Sequence, residues 1–272
     1  MNEARGEAVL EQAAAAAGEV WGTRLLAAYA LGSLAHGGFS DLVSDVDLGL
    51  VLAEPLTDAD AARVREVAER VRAGGAPLAE RLSVFWGSAT TLRGEGALGR
   101  FPPLDRLDLA RYGGLLAGRD VRAGLPMPTT RELVLAAAEQ ALRSLAQPAV
   151  VAELDDPAGL VDAGARHLTK RILFPVRFLY TARTGEIGRN HDAVAHFVAT
   201  ETGPMADVAA AALRWRETPP EQDRAASVAL VAAGIKPLYR HFAADHEQRL
   251  RDYDEPVLAA RYAAWRAALA AS

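Results

Sequence analysis

LLAAYALGSLAHGGFSDLVSDVDLGLVL, residues 25–52, sets the architecture expected for the N-terminal half of the chain. It contains two apolar segments, Leu25 to Leu31 and Asp45 to Leu52, each suited to a buried strand. A Gly-Ser pair and a loop rich in Gly and Ser separate them. The stretch therefore predicts two neighbouring strands joined by a turn and a short loop.

The second segment begins with two carboxylates. Alternate side chains of a strand share a face, so Asp45 and Asp47 are expected on the same face, roughly 6–7 Å apart. Such a pair repels itself unless a cation lies between the carboxylates, and oxygen ligands favour Mg²⁺, which also accepts substrate phosphates. The turn at Gly32 and Ser33 offers backbone N–H groups and a hydroxyl to an anion. Together these residues predict a nucleoside triphosphate site, with phosphates on the turn and metal on the aspartates.

The remaining periodicity predicts an α/β N-terminal domain, a small mixed sheet flanked by helices, and an all-α C-terminal helical bundle. Residues 1–125 form the first domain and residues 126–272 the second, because a Pro-rich break at Leu125 to Thr130 precedes continuously helical sequence. In the first domain we expect helices over 7–17, from Thr57 to Gly74, and over 105–116, with a third strand over 82–86. In the second we expect helices over 130–147, 158–184, 190–200, 204–216, 223–247 and 254–271.

Composition excludes several classes of function. The chain has no cysteine, which rules out disulfides, thiolate metal sites and a cysteine nucleophile. Its net charge of −5 is spread without a polybasic run, so neither nucleic acid nor a membrane is an expected partner. No apolar run reaches transmembrane length and no signal peptide is evident, so a cytoplasmic location is expected. Gly94 to Gly99 matches Gly-x-Gly-x-x-Gly, but Pro102-Pro103 follows it, so we interpret it as a flexible loop.

The motif Leu31-Gly32-Ser33, followed after an eleven-residue spacer (Leu34 to Ser44) by Asp45-Val46-Asp47-Leu48, resembles the signature of the DNA polymerase β-like nucleotidyltransferase superfamily. The layout, a small catalytic domain followed by a helical one, resembles the aminoglycoside nucleotidyltransferases, especially the streptomycin/spectinomycin adenylyltransferases. Segments from Arg166 to Ile187 and from Asp108 to Gly118 are similar to that family too. The first motif is specific to the superfamily and covers about 25 residues, whereas the later segments support the architecture.

The resemblance implies metal-dependent transfer of a nucleoside monophosphate, AMP first, from ATP or another triphosphate to a hydroxyl of a small molecule, with an aminoglycoside as one candidate acceptor. It implies Asp45 and Asp47 as catalytic metal ligands for Mg²⁺, and Gly32 and Ser33 as nucleotide contacts. The family also has a third carboxylate at the start of a later central strand. Here that position aligns with Ser83, so Glu80, Asp105 or Asp108 would have to substitute, or the site is impaired.

The family's phosphate-binding lysine has no identical counterpart. Arg189 follows the corresponding turn, and Lys170 and Arg171 on the preceding helix are other candidates; a solvated basic helix face explains each equally well. A cationic acceptor would need acidic residues, and four acids of the second domain either bind it or form a polar loop and helix caps. These are Glu153, Asp155, Asp156 and Asp162.

Two other functions remain open at this point. Because Ser83 lacks a carboxylate, the chain would alternatively be a catalytically degenerate protein that binds nucleotide or a protein partner without turnover. A nucleotidyltransferase that modifies a protein partner is the third hypothesis; the large second domain disfavours it. The sequence leaves the oligomeric state undetermined.

Overall fold

The computed structural model describes residues 3–271 and divides into two compact units, Met1–Pro128 and Thr129–Ser272. The first unit contains a four-stranded sheet and the second is helical. This agrees with the expected small mixed sheet with helices followed by helical sequence. The division into a catalytic and a substrate-binding domain at residue 125 stays a prediction.

The first unit alternates helices and strands. Its elements in chain order are α1 (Glu3–Trp21), β1 (Leu25–Leu31), α2 (Ser33–His36), β2 (Val46–Leu52), α3 (Asp58–Ala73), β3 (Leu82–Gly87), α4 (Ala89–Leu92), α5 (Pro103–Tyr112) and β4 (Gly114–Gly118). The strand order is β3-β2-β1-β4, with β1 antiparallel to β2 and β4, and β2 parallel to β3. Because parallel neighbours need a long connection, α3 serves as the crossover between β2 and β3.

The two faces of the sheet have separate cores. Even-numbered residues of β2, such as Leu48 and Leu50, are fully buried in a core cluster shared with residues of α1 and α3. Odd-numbered residues of β1, including Tyr29 and Leu31, belong to a second cluster that contains Leu109 of α5. Alternation along the strands thus assigns α1 and α3 to one face and α5 to the other.

A buried carboxylate fixes the start of α3. Asp60 is fully buried and accepts hydrogen bonds from the indole Nε1 of Trp21 (2.9 Å), from Arg24 (3.0 and 3.1 Å) and from the Thr57 backbone N–H (2.9 Å). Thr57 and Asp60 form a capping box, which confirms the predicted N-terminus of this helix. Burial raises the pKa of Asp60, but the hydrogen bonds from Arg24, Trp21 and Thr57 outweigh it, so its pKa lies well below the usual range.

The predicted helix over 105–116 is wrong at its C-terminal end. Helix α5 stops at Tyr112, Gly113 follows it, and Gly114–Gly118 forms β4. Two consecutive glycines weaken the helix at that point. The following residues pair with β1 instead, with Gly114 opposite Ala30 and Ala117 opposite Ala28. Hydrogen bonding to a strand distant in sequence therefore overrides the local helical pattern.

The second unit is built from helices in chain order: α6 (Thr130–Ser144), α7 (Pro148–Glu153), α8 (Pro157–Asp162), α9 (Ala165–Thr184), α10 (Asn190–Thr200), α11 (Pro204–Arg214), α12 (Arg224–Asp252) and α13 (Pro256–Ala271). The predicted capped start near Thr130 is confirmed by a capping box of Thr129 and Glu132. The helix predicted over 158–184 is two helices, because Gly164 with φ of +90° interrupts it.

Candidate active site

The predicted carboxylate pair lies at the start of β2. Val46 between the two aspartates is fully buried towards α1 and α3, whereas Asp45 and Asp47 are half-buried. Asp47 pairs with Leu31, the last residue of β1, in the antiparallel ladder. The aspartates therefore lie beside the point where β1 ends and the Gly-Ser turn begins.

The turn itself is shaped around Asp47. Gly32 has φ of +62° and ψ of −149°, a conformation that is essentially restricted to glycine. A Cβ atom at this position would overlap Oδ2 of Asp47. The absence of a side chain at Gly32 thus allows the Asp47 carboxylate to approach the backbone of the turn.

Ser33 follows directly, at the first position of the four-residue α2. It is half-buried, and its hydroxyl has no hydrogen-bond partner within residues 3–271. The structure therefore brings together Gly32, Ser33 and Asp47 as the sequence predicted, and it leaves the Ser33 hydroxyl able to contact a ligand.

A third carboxylate reaches the same turn from α5. Oδ2 of Asp108 accepts a hydrogen bond from the backbone N–H of Gly32 at 2.6 Å, and Asp108 is only 5% exposed. The N–H of Gly32 therefore already has an acceptor within the protein. Of the two residues proposed as phosphate contacts, Ser33 is the one that can still donate a hydrogen bond to a phosphate. Asp108 was one of three substitutes considered for the missing acid, and no local pattern distinguished it from Asp105.

Ser83 occupies the position where the resemblance requires a carboxylate. In the parallel ladder between β2 and β3, Ser83 is the partner of Asp47. Glu80 lies in the turn before β3 and is exposed. Strand β3 therefore places a neutral hydroxyl, and no carboxylate, beside Asp47.

Arg81 was missed by sequence reasoning. Its Nη1 donates to the backbone carbonyls of Asp41 (2.6 Å) and Ser44 (3.3 Å), in the loop that leads into Asp45. This side chain thus holds the segment before the first aspartate against the start of β3. An arginine just before a predicted strand carries no signal of this role, because its acceptors lie about 40 residues away.

Asp45 and Asp47 suit a Mg²⁺ ion that keeps part of its water shell, rather than a metal held entirely by protein side chains. Across residues 3–271, no group of three or more His, Asp or Glu side chains is arranged to hold a metal ion. Mg²⁺ commonly keeps several waters and binds one or two carboxylates together with substrate phosphates. Asp45 and Asp47 supply that number of carboxylates, and the overlap of a Cβ at Gly32 with Asp47 shows that a side chain there would crowd the second of them.

The predicted cations lie in the second unit. Arg189 precedes α10 and pairs with Asp192 at 2.5 Å. Lys170 is half-buried on α9, and the neighbouring Arg171 donates to Glu153 at 3.0 Å. The ion pair with Asp192 favours a structural contribution of Arg189 at the start of α10, and its contact with phosphate stays a prediction.

The four acids considered for a cationic acceptor have partners within the second unit. Asp156 caps α8 by accepting the N–H of Gly159. The other three form ion pairs, which are Glu153 with Arg171 and His167, Asp155 with Lys236, and Asp162 with Arg224. The pattern favours the interpretation of these acids as a polar surface and helix cap.

No family model matches the chain, and no curated protein matches it. Among solved structures, the chain is similar to the spectinomycin adenyltransferase of Enterococcus faecialis, determined with ATP and spectinomycin. The TM-score is 0.49 at 14% identity, over 79% of this chain and 92% of that one.

Two further expectations concern the rest of the chain. Gly94, Gly96 and Gly99 all have positive φ and lie between α4 and α5, so this segment is a loop as predicted, while its flexibility stays a prediction. None of the helices within residues 3–271 combines the length and apolar character needed to cross a membrane.

Proposed function

We propose that the chain transfers a nucleoside monophosphate from a nucleoside triphosphate to a hydroxyl of a small molecule, with AMP as the first candidate for the transferred group. One observation carries the proposal: the Asp47 carboxylate lies against the Cα of Gly32, directly before the free hydroxyl of Ser33. A carboxylate for a metal and a hydroxyl for a phosphate thus lie at one turn. Such proximity is what binding of a metal–triphosphate complex requires.

In this reaction the acceptor oxygen forms a bond to the α-phosphorus, the bond to pyrophosphate breaks, and the hydroxyl proton is released. Asp45 and Asp47 would hold Mg²⁺, which when bound supplies charge stabilisation to the phosphate oxygens. Ser33 donates its hydroxyl to a phosphate oxygen. Lys170 and Arg189 remain proposed phosphate contacts, and Arg189 would first have to leave Asp192.

The acceptor is proposed as a small hydroxylated molecule. Aminoglycosides remain candidates, but three of the four acids that would attract a polycation form ion pairs within the second unit, and the fourth, Asp156, caps α8. The acceptor panel should therefore include neutral sugars and cyclitols beside aminoglycosides.

The test is transfer of label from [α-³²P]ATP with Mg²⁺ to this panel. We expect transfer by the wild type and loss of at least a hundredfold for Asp47→Asn, which keeps the size of the side chain but removes its charge. Asp58→Asn, at an exposed acid on the first turn of α3, is the matched control and should retain activity. Equal transfer by wild type and Asp47→Asn would refute the role of the aspartate pair.

A second function is favoured by Ser83. Because the partner of Asp47 on β3 is neutral, the chain would bind a nucleotide without turning it over. Calorimetry with ATP and Mg²⁺ separates the two proposals: binding without transfer to any acceptor supports the second. Substitution of Ser83 by Glu would then be expected to raise transfer, whereas in an active enzyme it should leave transfer similar or lower it.

A further inference from the structure

Helix α5 is held rigidly on the sheet face that carries Asp47. Leu107 and Leu109, on either side of Asp108, are 2% and 0% exposed. Leu109 packs in the same cluster as Leu31, the residue before Gly32. The backbone that carries Asp108 therefore has little freedom to move relative to the end of β1.

The C-terminal end of α5 is tied to the same strand. Gly113 follows the helix, and Gly114 at the start of β4 pairs with Ala30, two residues before Gly32. The hydrogen bond from Gly32 to Asp108 closes a ring that runs through β1, the turn, α5 and β4. Because sheet pairing fixes one side of this ring and core packing the other, the acceptor is in place before any ligand binds.

The hydrogen bond to Asp108 constrains Gly32, whose backbone conformation is otherwise unfavourable. Gly32 adopts a sparsely populated conformation, and glycine loses more conformational freedom than any other residue on ordering. The acceptor oxygen belongs to a side chain that is only 5% exposed, so water does not readily replace it when the side chain is removed, and the N–H of Gly32 then loses its partner. Loss of this acceptor would release the turn and, with it, the relative placement of Ser33 and Asp47.

We propose that Asp108 is a positioning residue of the candidate active site, which holds the Gly32–Ser33 turn through the Gly32 N–H. The expected effect on ATP binding rests on the proposed function, whereas the hydrogen bond between Gly32 and Asp108 does not. Asp108 acts through its hydrogen bond to the backbone and not as a ligand of the metal. The acid missing from β3 is thus not restored, and a different carboxylate preorganises the turn.

The test compares Asp108→Asn, which keeps an oxygen acceptor without the charge, with Asp108→Ala, which removes the acceptor. Two quantities are measured: hydrogen exchange of the Gly32 amide by NMR, and the affinity for ATP with Mg²⁺ by calorimetry. We expect Asp108→Ala to accelerate exchange at Gly32 and weaken ATP binding, each at least tenfold. Asp108→Asn should stay within about threefold of the wild type in both. Circular dichroism melting shows whether each variant is folded.

The outcomes separate this inference from the proposed function. Unchanged Gly32 exchange in Asp108→Ala would overturn the inference, as would equal losses of ATP affinity in both variants, which would make charge the decisive property. If the wild type binds no ATP, the proposed function fails, while the exchange measurement still decides the role of Asp108. If only Asp108→Asn folds, unchanged exchange at Gly32 supports the proposal and a tenfold acceleration overturns it.

Discussion

Substitution of Gly32 by alanine should damage the candidate site far more than the fold. The backbone at Gly32 has φ of +62° and ψ of −149°, so alanine there costs about 1–3 kcal/mol of strain. In addition, its Cβ would overlap Oδ2 of Asp47, which must move to accommodate it. A displacement that removes about 1.4 kcal/mol of binding free energy lowers affinity tenfold.

The matched control is Gly75→Ala. Gly75 has a similar φ of +69°, but a Cβ there meets no atom within 4 Å. Both variants should lose stability in urea denaturation, because both place alanine at positive φ. Only Gly32→Ala should weaken the binding of ATP with Mg²⁺, by at least tenfold in calorimetry. Wild-type affinity in Gly32→Ala, or an equal loss in Gly75→Ala, would refute the argument that the missing side chain makes room for Asp47.

Two predictions concern stability. Asp60→Ala leaves Arg24 and the buried Trp21 indole without their acceptor and should cost about 3 kcal/mol in urea denaturation, the lower end of the range for breaking a buried pair because Arg24 is partly exposed. The pKa of Asp60 is lower in the folded than in the unfolded chain, so its contribution to the free energy of unfolding is complete above the ordinary carboxyl pKa of about 4 and is lost as the pH falls below it. The difference in free energy of unfolding between wild type and Asp60→Ala should therefore shrink in acid. A difference that stays constant with pH would contradict the assignment. Gly234→Ala on α12 places a Cβ against the Pro204 carbonyl and 2.6 Å from Cγ1 of Val208 on α11, so overcrowding of about 1–3 kcal/mol should exceed the gain of about 1 kcal/mol in helix propensity. Gly18→Ala on α1, where nothing lies within 4 Å, should instead stabilise the protein, and stabilisation by both variants would disprove the close packing.

Local pattern predicted the elements that carry the site. β1 and most of β2 and β3 were found from apolar runs of strand length, and the start of α3 from Thr57 and the acids behind it. Asp47 lies within β2, next to the buried Val46, whereas Asp45 precedes the first residue of the strand, so a face shared by the two aspartates stays a prediction. Helix α1 continues through Gly18 to Trp21, whereas the prediction ended it at residue 17. A glycine near the end of a helical pattern predicts the end of the helix, although a helix can also contain a single glycine.

Contacts between distant residues account for what was missed. Strand β4 forms because β1 offers hydrogen bonds that the preceding helix cannot supply, and Arg81 holds the loop before Asp45 across about 40 residues. Asp105 and Asp108 are equivalent in sequence pattern. Only packing of α5 on the sheet turns Asp108 towards the turn.

The amino-acid sequence alone determined β1, β2 and β3, the Gly-Ser turn and the two aspartates, because each depends on residues within a few positions of one another. The tertiary structure decided which further groups surround that turn. It placed neutral Ser83 beside Asp47 and brought the carboxylate of Asp108 to Gly32, 76 residues away. The reason is that sheet register and helix packing are set by burial across the whole unit, so no local pattern contains them.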